Sequence, residues 1–220
     1  MIQFGSSYCY CPDVVVDPSI TLVSHFLSDA GLDAALAEPL HGWIGDVAAW
    51  NRRVDLTAAR DERELVDLML ADAAVLSQRL PMGAAQVVDV GSGAGAPGIP
   101  LAIFRPELAT TLVEPLQKRV ALLRLTAGKL RRSGACEIEV LRAKGEDVVG
   151  RGHAFDVAVS RATLAPPAWL ELGAKLADEV VVLLAQHEAP TLEGWAPIDD
   201  HRYRWPLTGA ERRLVRYRRP

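Results

Sequence analysis

Three glycines within five positions, Gly91, Gly93 and Gly95, separate an apolar run from the proline-bearing stretch Ala96-Pro-Gly-Ile-Pro100. Glycine tolerates positive φ and lets a backbone approach a ligand with no Cβ in the way. Pro97 and Pro100 fit a helix only in its first turn, where amides have no intrahelical partner. A helix beginning near Pro97 to Gly98 therefore turns free N–H donors and a partial positive charge toward the glycines. Val87 to Val90, β-branched apart from Asp89, reads as a short buried strand leading in. Strand, glycine turn and helix in this order make a seat for a nucleotide cofactor at the end of a first parallel strand.

The surroundings choose the nucleotide. Gly91-x-Gly93-x-x-Ala96 also satisfies the loose dinucleotide fingerprint, and Glu114, after Thr111-Leu-Val, suits a ribose diol in either case. Gly95 followed by Pro97-Gly98 makes a wider loop, suited to an amino-acid tail rather than a pyrophosphate. The chain also ends in an antiparallel hairpin and not in a second mononucleotide-binding half. Both features favour S-adenosylmethionine over a nicotinamide dinucleotide. His25, His41, His153, His187 and His201 are scattered and suggest neither a metal site nor a catalytic triad.

Alternating strands and helices position this loop. Ser19 caps a helix to Asp29 that Gly31 closes, and a second helix covers Asp33 to Arg53 with Leu40, Trp43, Ile44 and Val47 on one face. Asp61 with Glu64 opens a third helix, Glu62 to about Leu80. After the glycine loop come a helix to Arg105, a strand from Ala109 to Val113, and a helix from about Leu116 to Leu130. Strands follow at Cys136 to Leu141, Phe155 to Ser160 and Val180 to Ala185, with a helix at Pro167 to Leu176. Tyr203 to Leu207 and Leu214 to Arg218 pair around Thr208-Gly-Ala210. The expected fold is α/β: a doubly wound, mostly parallel sheet with a C-terminal antiparallel hairpin and an N-terminal helical cap. Residues 1–17 form a tail, 18–82 the cap and 83–220 the cofactor-binding core, with cap and core one compact unit.

Composition sets the remaining bounds. With 220 residues, 50% of them hydrophobic, and a net charge of −4, the chain is expected to be soluble with a full core. No apolar run reaches the roughly 18 residues that a membrane span requires. Cys9, Cys11 and Cys136 are too few and too badly spaced for a disulfide framework. The expectation is a cytoplasmic monomer. A pI near 5.8 excludes a nucleic-acid binder of uniformly basic surface but not a local basic patch. Arg202, Arg204, Arg212, Arg213, Arg216 and Arg218 in the hairpin form the one basic concentration. They suit either an RNA footprint or a solvated edge that resists strand pairing.

Taken together, these residues resemble the RsmG (GidB) family of 16S ribosomal RNA guanine-N7 methyltransferases, over roughly Leu40 to Arg218. The matching stretches are Trp50-Asn51, Leu56-Thr-Ala58 with Arg60-Asp61, Asp89-Val-Gly-Ser-Gly-Ala-Gly95 with Pro97-Gly-Ile-Pro-Leu-Ala102, Thr111-Leu-Val-Glu114 with Lys118-Arg119, Phe155-Asp156 with Ser160-Arg161-Ala162, and Gly209-Ala-Glu-Arg212 with Leu214-Val215. The resemblance implies a class I methyltransferase fold, S-adenosylmethionine as cofactor and small-subunit rRNA as partner. By position, Gly91, Gly93, Gly95 and Ala96 line the methionine side and Glu114 the ribose. Lys144 and Gly145 border the adenine, and Arg161 stands between cofactor and substrate. The chain departs from the family pattern at Ala96, where a bulky apolar residue is usual, and at Asp55, where the family has Asn. Leu68-Met69 replaces an Arg-His pair and Gln186-His187 a Lys-Gly, while the nearby acid persists as Asp72.

Guanine N7 carries a free lone pair and loses no proton on methylation, so the reaction requires alignment rather than a general base. Arg161 suits a base contact or the cofactor carboxylate; an ion pair with Asp156 or Glu114 is the alternative. Asn51 suits a hydrogen bond to the base or to a carbonyl between cap and core. Lys118 and Arg119 suit phosphate contact or a solvated helix face. Rival readings keep the cofactor but methylate another RNA or a small molecule, or bind it without catalysis.

Overall fold

The computed structural model describes residues 19–82, 86–150 and 155–220. Its centre is a seven-stranded sheet in the order β3-β2-β1-β4-β5-β7-β6. The strands are β1 (Gln86–Val90), β2 (Ala109–Val113), β3 (Ile138–Leu141), β4 (Phe155–Ser160), β5 (Ala177–Leu184), β6 (Ala196–Arg204) and β7 (Glu211–Arg218). The first five run parallel, and β7 pairs antiparallel with both β5 and β6. Connections from β1 lead outward to β2 and β3, whereas β4 lies on the other side of β1. The strand order therefore reverses between β1 and β4, and a crevice opens at their carboxyl ends. Gly91 leaves β1 and Arg161 leaves β4 at that crevice.

The helices are α1 (Ile20–Asp29), α2 (Ala37–Asn51), α3 (Glu62–Arg79), α4 (Gly98–Phe104), α5 (Gln117–Ser133), α6 (Gly145–Val149) and α7 (Pro166–Gly173). Ser19 caps α1 through the Leu22 amide, and Asp61 caps α3 through that of Glu64 at 2.8 Å. The second expected helix divides: Ala34–Leu36 is a 3-10 turn capped by Asp33, and α2 starts at Ala37. This start places Pro39 in the first turn, where its missing N–H costs nothing. One apolar core joins Phe26 and Leu27 of α1, Trp43 of α2 and Leu65 and Leu70 of α3 to Ile99 of α4 and Leu123 of α5. The three N-terminal helices thus share a core with the elements around the sheet.

Further elements differ from expectation. The hairpin is longer, because β6 begins at Ala196; its alternating, mostly polar surface belongs to an edge strand and carries no apolar run. The turn also closes earlier, through Trp205 N–H to the Ala210 carbonyl at 2.9 Å, so Trp205 and Leu207 drop out of the strand and into the core. Helix α6, at five residues, is too short for a periodic signal. Cys136 is buried just before β3, and burial pushes its thiol up to about 11. Cys9, Cys11, the residue 1–17 tail and His153 fall outside the described residues.

Candidate active site

The glycine loop is an extension of the sheet that three side chains hold open. Gly91 N–H and Ser92 N–H both donate to the Val113 carbonyl, at 2.8 and 3.2 Å, continuing the β1–β2 ladder past its end. Gly93 takes φ +58°, and its amide donates to Glu114 Oε2 at 3.0 Å. The direction a Gly93 Cβ would take is open, with only the Gly91 carbonyl within reach at 3.8 Å. Gly95 differs: a Cβ there would meet Ile99 Cδ1 at 2.3 Å, so its bare backbone serves core packing rather than a ligand surface. From the cap, Trp43 Nε1 donates to the Ala94 carbonyl at 3.2 Å and pins the loop from behind.

Asp89 anchors the underside. Its Oδ2 accepts the Gly98 amide at 3.0 Å, at the start of α4, and a Cβ on Gly98 would lie 2.8 Å from that oxygen. The Pro97-Gly98 pair therefore answers to Asp89 as much as to loop width. Burial pushes the Asp89 carboxyl up to about 7, against the pull of the Gly98 amide and the Arg161 charge. Its Oδ1 is buried without a partner.

Above the loop lies a cleft of about 550 Å³ whose wall includes Leu56, Met69, Gly93, Ala96, Glu114 and Arg119. Glu114 is buried, and its Oε1 accepts the Leu116 amide at 2.9 Å while Oε2 holds Gly93. Each carboxylate oxygen has a second lone pair. The open side of Gly93 and the spare acceptor capacity of Glu114 fit a nucleoside bearing a sugar diol.

The other expected residues take distinct places. Asn51 does not line the cleft; its Oδ1 accepts the Leu56 and Thr57 amides at 2.8 and 3.0 Å, and its Nδ2 donates to the Thr57 carbonyl. It folds the loop that forms one wall, with its Oδ1 and one Nδ2–H engaged there. Lys144 caps α6, and Gly145 is small because Val90 and Leu172 fill the space beside it; neither lines the cleft. Arg119 does line it: Nη2 reaches the Asp55 carbonyl at 3.1 Å, and Nε is buried without a partner. Nothing in the helix pattern distinguished Arg119 from its exposed neighbour Lys118.

Arg161 is held by neither Asp156 nor Glu114. Its Nη1 donates to the Leu68 carbonyl and lies 3.5 Å from Asp72 Oδ2, while Asp156 accepts the Gln86 amide instead. Asp72, buried in α3, also accepts the Tyr203 hydroxyl at 2.7 Å and Trp205 Nε1 at 2.9 Å through Oδ1. Burial first, then the Asp72 charge, raises the Tyr203 hydroxyl's pKa and keeps it a donor. Ser160 Oγ donates to the Val90 carbonyl at 2.7 Å, locking β4 to the end of β1, and Ala162 follows at φ +54°, a conformation strained for any side-chain-bearing residue.

Leu68, Arg161 and Ala162 form a neck between the cleft and a second cavity of about 650 Å³. Pro166, His187, Glu188, Tyr203, Trp205 and Arg212 contribute to the wall of that cavity. The basic concentration of the hairpin is largely neutralised. Arg204 pairs with Glu211, Arg213 with Asp200, and Arg216 and Arg218 both with the buried Glu179. Arg212 instead covers the Trp205 ring at 3.9 Å. Carboxylates from β5, β6 and β7 itself, invisible as partners in a one-dimensional count of arginines, account for the difference.

The family model described as rRNA small subunit methyltransferase G (GidB) matches residues 37–189. A ribosomal RNA small subunit methyltransferase G from Anaeromyxobacter dehalogenans is 33% identical over 207 residues, covering 86% of this chain and 91% of that protein. Its counterpart from Xanthomonas oryzae pv. oryzae is 32% identical over 211 residues, covering 92% and 97%. Among solved structures, TrmK from M. capricolum in complex with S-adenosyl-homocysteine superposes with a TM-score of 0.53 at 10% identity, over 69% of each chain, a likeness of fold. The chain thus belongs to the rRNA small subunit methyltransferase G family.

Proposed function

We propose that this chain transfers the methyl group of S-adenosylmethionine to guanine N7 in small-subunit (16S) rRNA. The donor supplies an electrophilic methyl on a sulfonium and leaves as the thioether. The cleft over Gly91, Gly93 and Ala96 holds it, with Glu114 accepting its ribose hydroxyls. The observation that carries this reading is the open face of Gly93 beside the Glu114 carboxylate.

The protein's own contribution is alignment. Asp72, itself held by Tyr203 and Trp205, fixes Arg161 at the neck. Holding two reactants in a near-attack geometry contributes on the order of 7–11 kcal/mol in favourable intramolecular cases. The absence of an acid–base pair from the described wall of the cleft accords with a nucleophile that carries no proton. Such an enzyme works in the cytoplasm, where ribosomes assemble, and as a monomer.

Transfer of labelled methyl to 16S RNA and to small subunits, followed by nucleoside analysis, tests the reading. Label in 7-methylguanosine is the expected result. Label in another nucleoside, or none with enzyme that binds the donor, refutes it.

A further inference from the structure

We infer that Glu188 reads the Watson–Crick edge of the target guanine and is a specificity-determining residue. The inference rests on the methyl-transfer reading above and concerns the 650 Å³ cavity beyond the neck. Arg161 lines both cavities, whereas Glu188 lines only the second. A base that presents N7 to the cleft through the neck places O6, on the same edge, beside Arg161. Because N7 must stay free to attack, Arg161 can offer its donors only to O6, not to O6 and N7 together. Arg161 Nη1 is engaged with Leu68 and Asp72, but its Nε and Nη2 have no partner among the described residues.

The opposite edge of guanine, N1–H and the N2 amine, then points into the cavity and requires acceptors. Two carboxylates stand on its wall, Asp72 and Glu188. Asp72 already receives two donors on Oδ1, from Tyr203 and Trp205, and turns Oδ2 to Arg161. Glu188 makes no hydrogen bond or ion pair with the described residues and acts only at a distance on Arg213, which binds Asp200. A carboxylate takes N1–H and N2–H side by side, one on each oxygen. Adenine fails at both ends: its N6 amine meets the Arg161 donors, and its N1 lone pair meets the Glu188 carboxylate. An extruded base read on this edge is the usual arrangement for enzymes that modify nucleobases.

The test compares guanosine with inosine, which lacks only the N2 amine, at the mapped target of an otherwise identical 16S transcript. Wild-type protein should favour guanosine in kcat/KM by on the order of ten- to a hundredfold, as expected for a hydrogen bond to a charged group. Glu188→Ala should bring that ratio close to one, and Glu188→Gln, which keeps one acceptor, should fall between. The ratio cancels the concentration of active enzyme, so a partly unfolded variant still reports. A variant that keeps the wild-type ratio, whether or not overall activity falls, overturns the role of Glu188 while wild-type 7-methylguanosine leaves the reaction standing. Absence of 7-methylguanosine from the wild-type reaction overturns the reaction, and the role of Glu188 with it.

Discussion

Glu114 Oε2 accepts the Gly93 amide at 3.0 Å, so the carboxylate assigned to the cofactor's sugar also sets the curvature of the loop beneath it. On the proposed reading, cofactor recognition and loop shape depend on the same side chain. Valine at position 93 would project into the cleft, where glycine leaves open space, and would hold a positive φ that costs about 1–3 kcal/mol in residues other than glycine. The expected outcome for Gly93→Val is loss of calorimetric S-adenosylmethionine binding with a folded protein whose melting temperature drops by several degrees. Unchanged affinity would show that the donor sits elsewhere.

This site was partly legible in the chain itself. Strand, glycine turn and proline-led helix are local, and local chemistry marks them without tertiary knowledge. Gly93 and Glu114 fall together because parallel strands β1 and β2 are neighbours, which the alternation of elements implies. Gly95 reads as a ligand-facing glycine on spacing, yet the structure fills the space beside it with Ile99, and of the two contacts open to Asn51 the structure shows backbone bonds that brace its loop. Asp72 could not be found as the partner of Arg161: the two are 89 positions apart, and the pairing depends on how α3 docks at the end of β4. The arginines of the hairpin carried no sign of which carboxylates face them.

Those arginines separate by burial. Glu179 is 2% exposed and receives Arg216 and Arg218, so Arg216→Ala leaves a buried carboxylate with one partner on the rim. Removing one member of a buried pair costs about 3–5 kcal/mol. Arg204 and Glu211 are both exposed, and such pairs contribute about 0–1 kcal/mol. Urea unfolding should show a large loss for Arg216→Ala and almost none for Arg204→Ala. Equal losses would mean that the Glu179 cluster does not hold the sheet edge.

Asp72→Asn tests the network around Arg161. The amide oxygen can still accept the Tyr203 and Trp205 donors, but the amide nitrogen then faces the Arg161 guanidinium, donor against donor. Arg161 should swing from the neck, lowering kcat by on the order of tenfold to a hundredfold for the loss of a charge-assisted hydrogen bond. Affinity for S-adenosylmethionine should stay within about threefold, because Asp72 does not line the donor cleft. A matched fall in donor affinity would place Arg161 on the cofactor carboxylate instead of the base.

Asp89 makes stability depend on pH in a direction opposite to that of most carboxylates. Its folded-state value, about 7, lies above the ordinary 3.8 because burial disfavours the charged form. Between those values the folded protein holds a proton that the unfolded chain has released, so stability declines as pH rises from about 4 to 7 and levels off above. The slope approaches about 1.4 kcal/mol per pH unit in the middle of that window. Asp67, whose pKa is also raised chiefly by burial, adds in the same direction, while Asp200, held low by Arg213, weakens the fold only at more acid pH. Asp89→Asn keeps an acceptor for the Gly98 amide and removes the titration, so its unfolding free energy should be flatter across pH 4 to 7 than that of the wild type. Parallel curves for the two proteins would show that Asp89 remains charged in the fold, stabilised by the Gly98 amide and then Arg161 more strongly than burial opposes it.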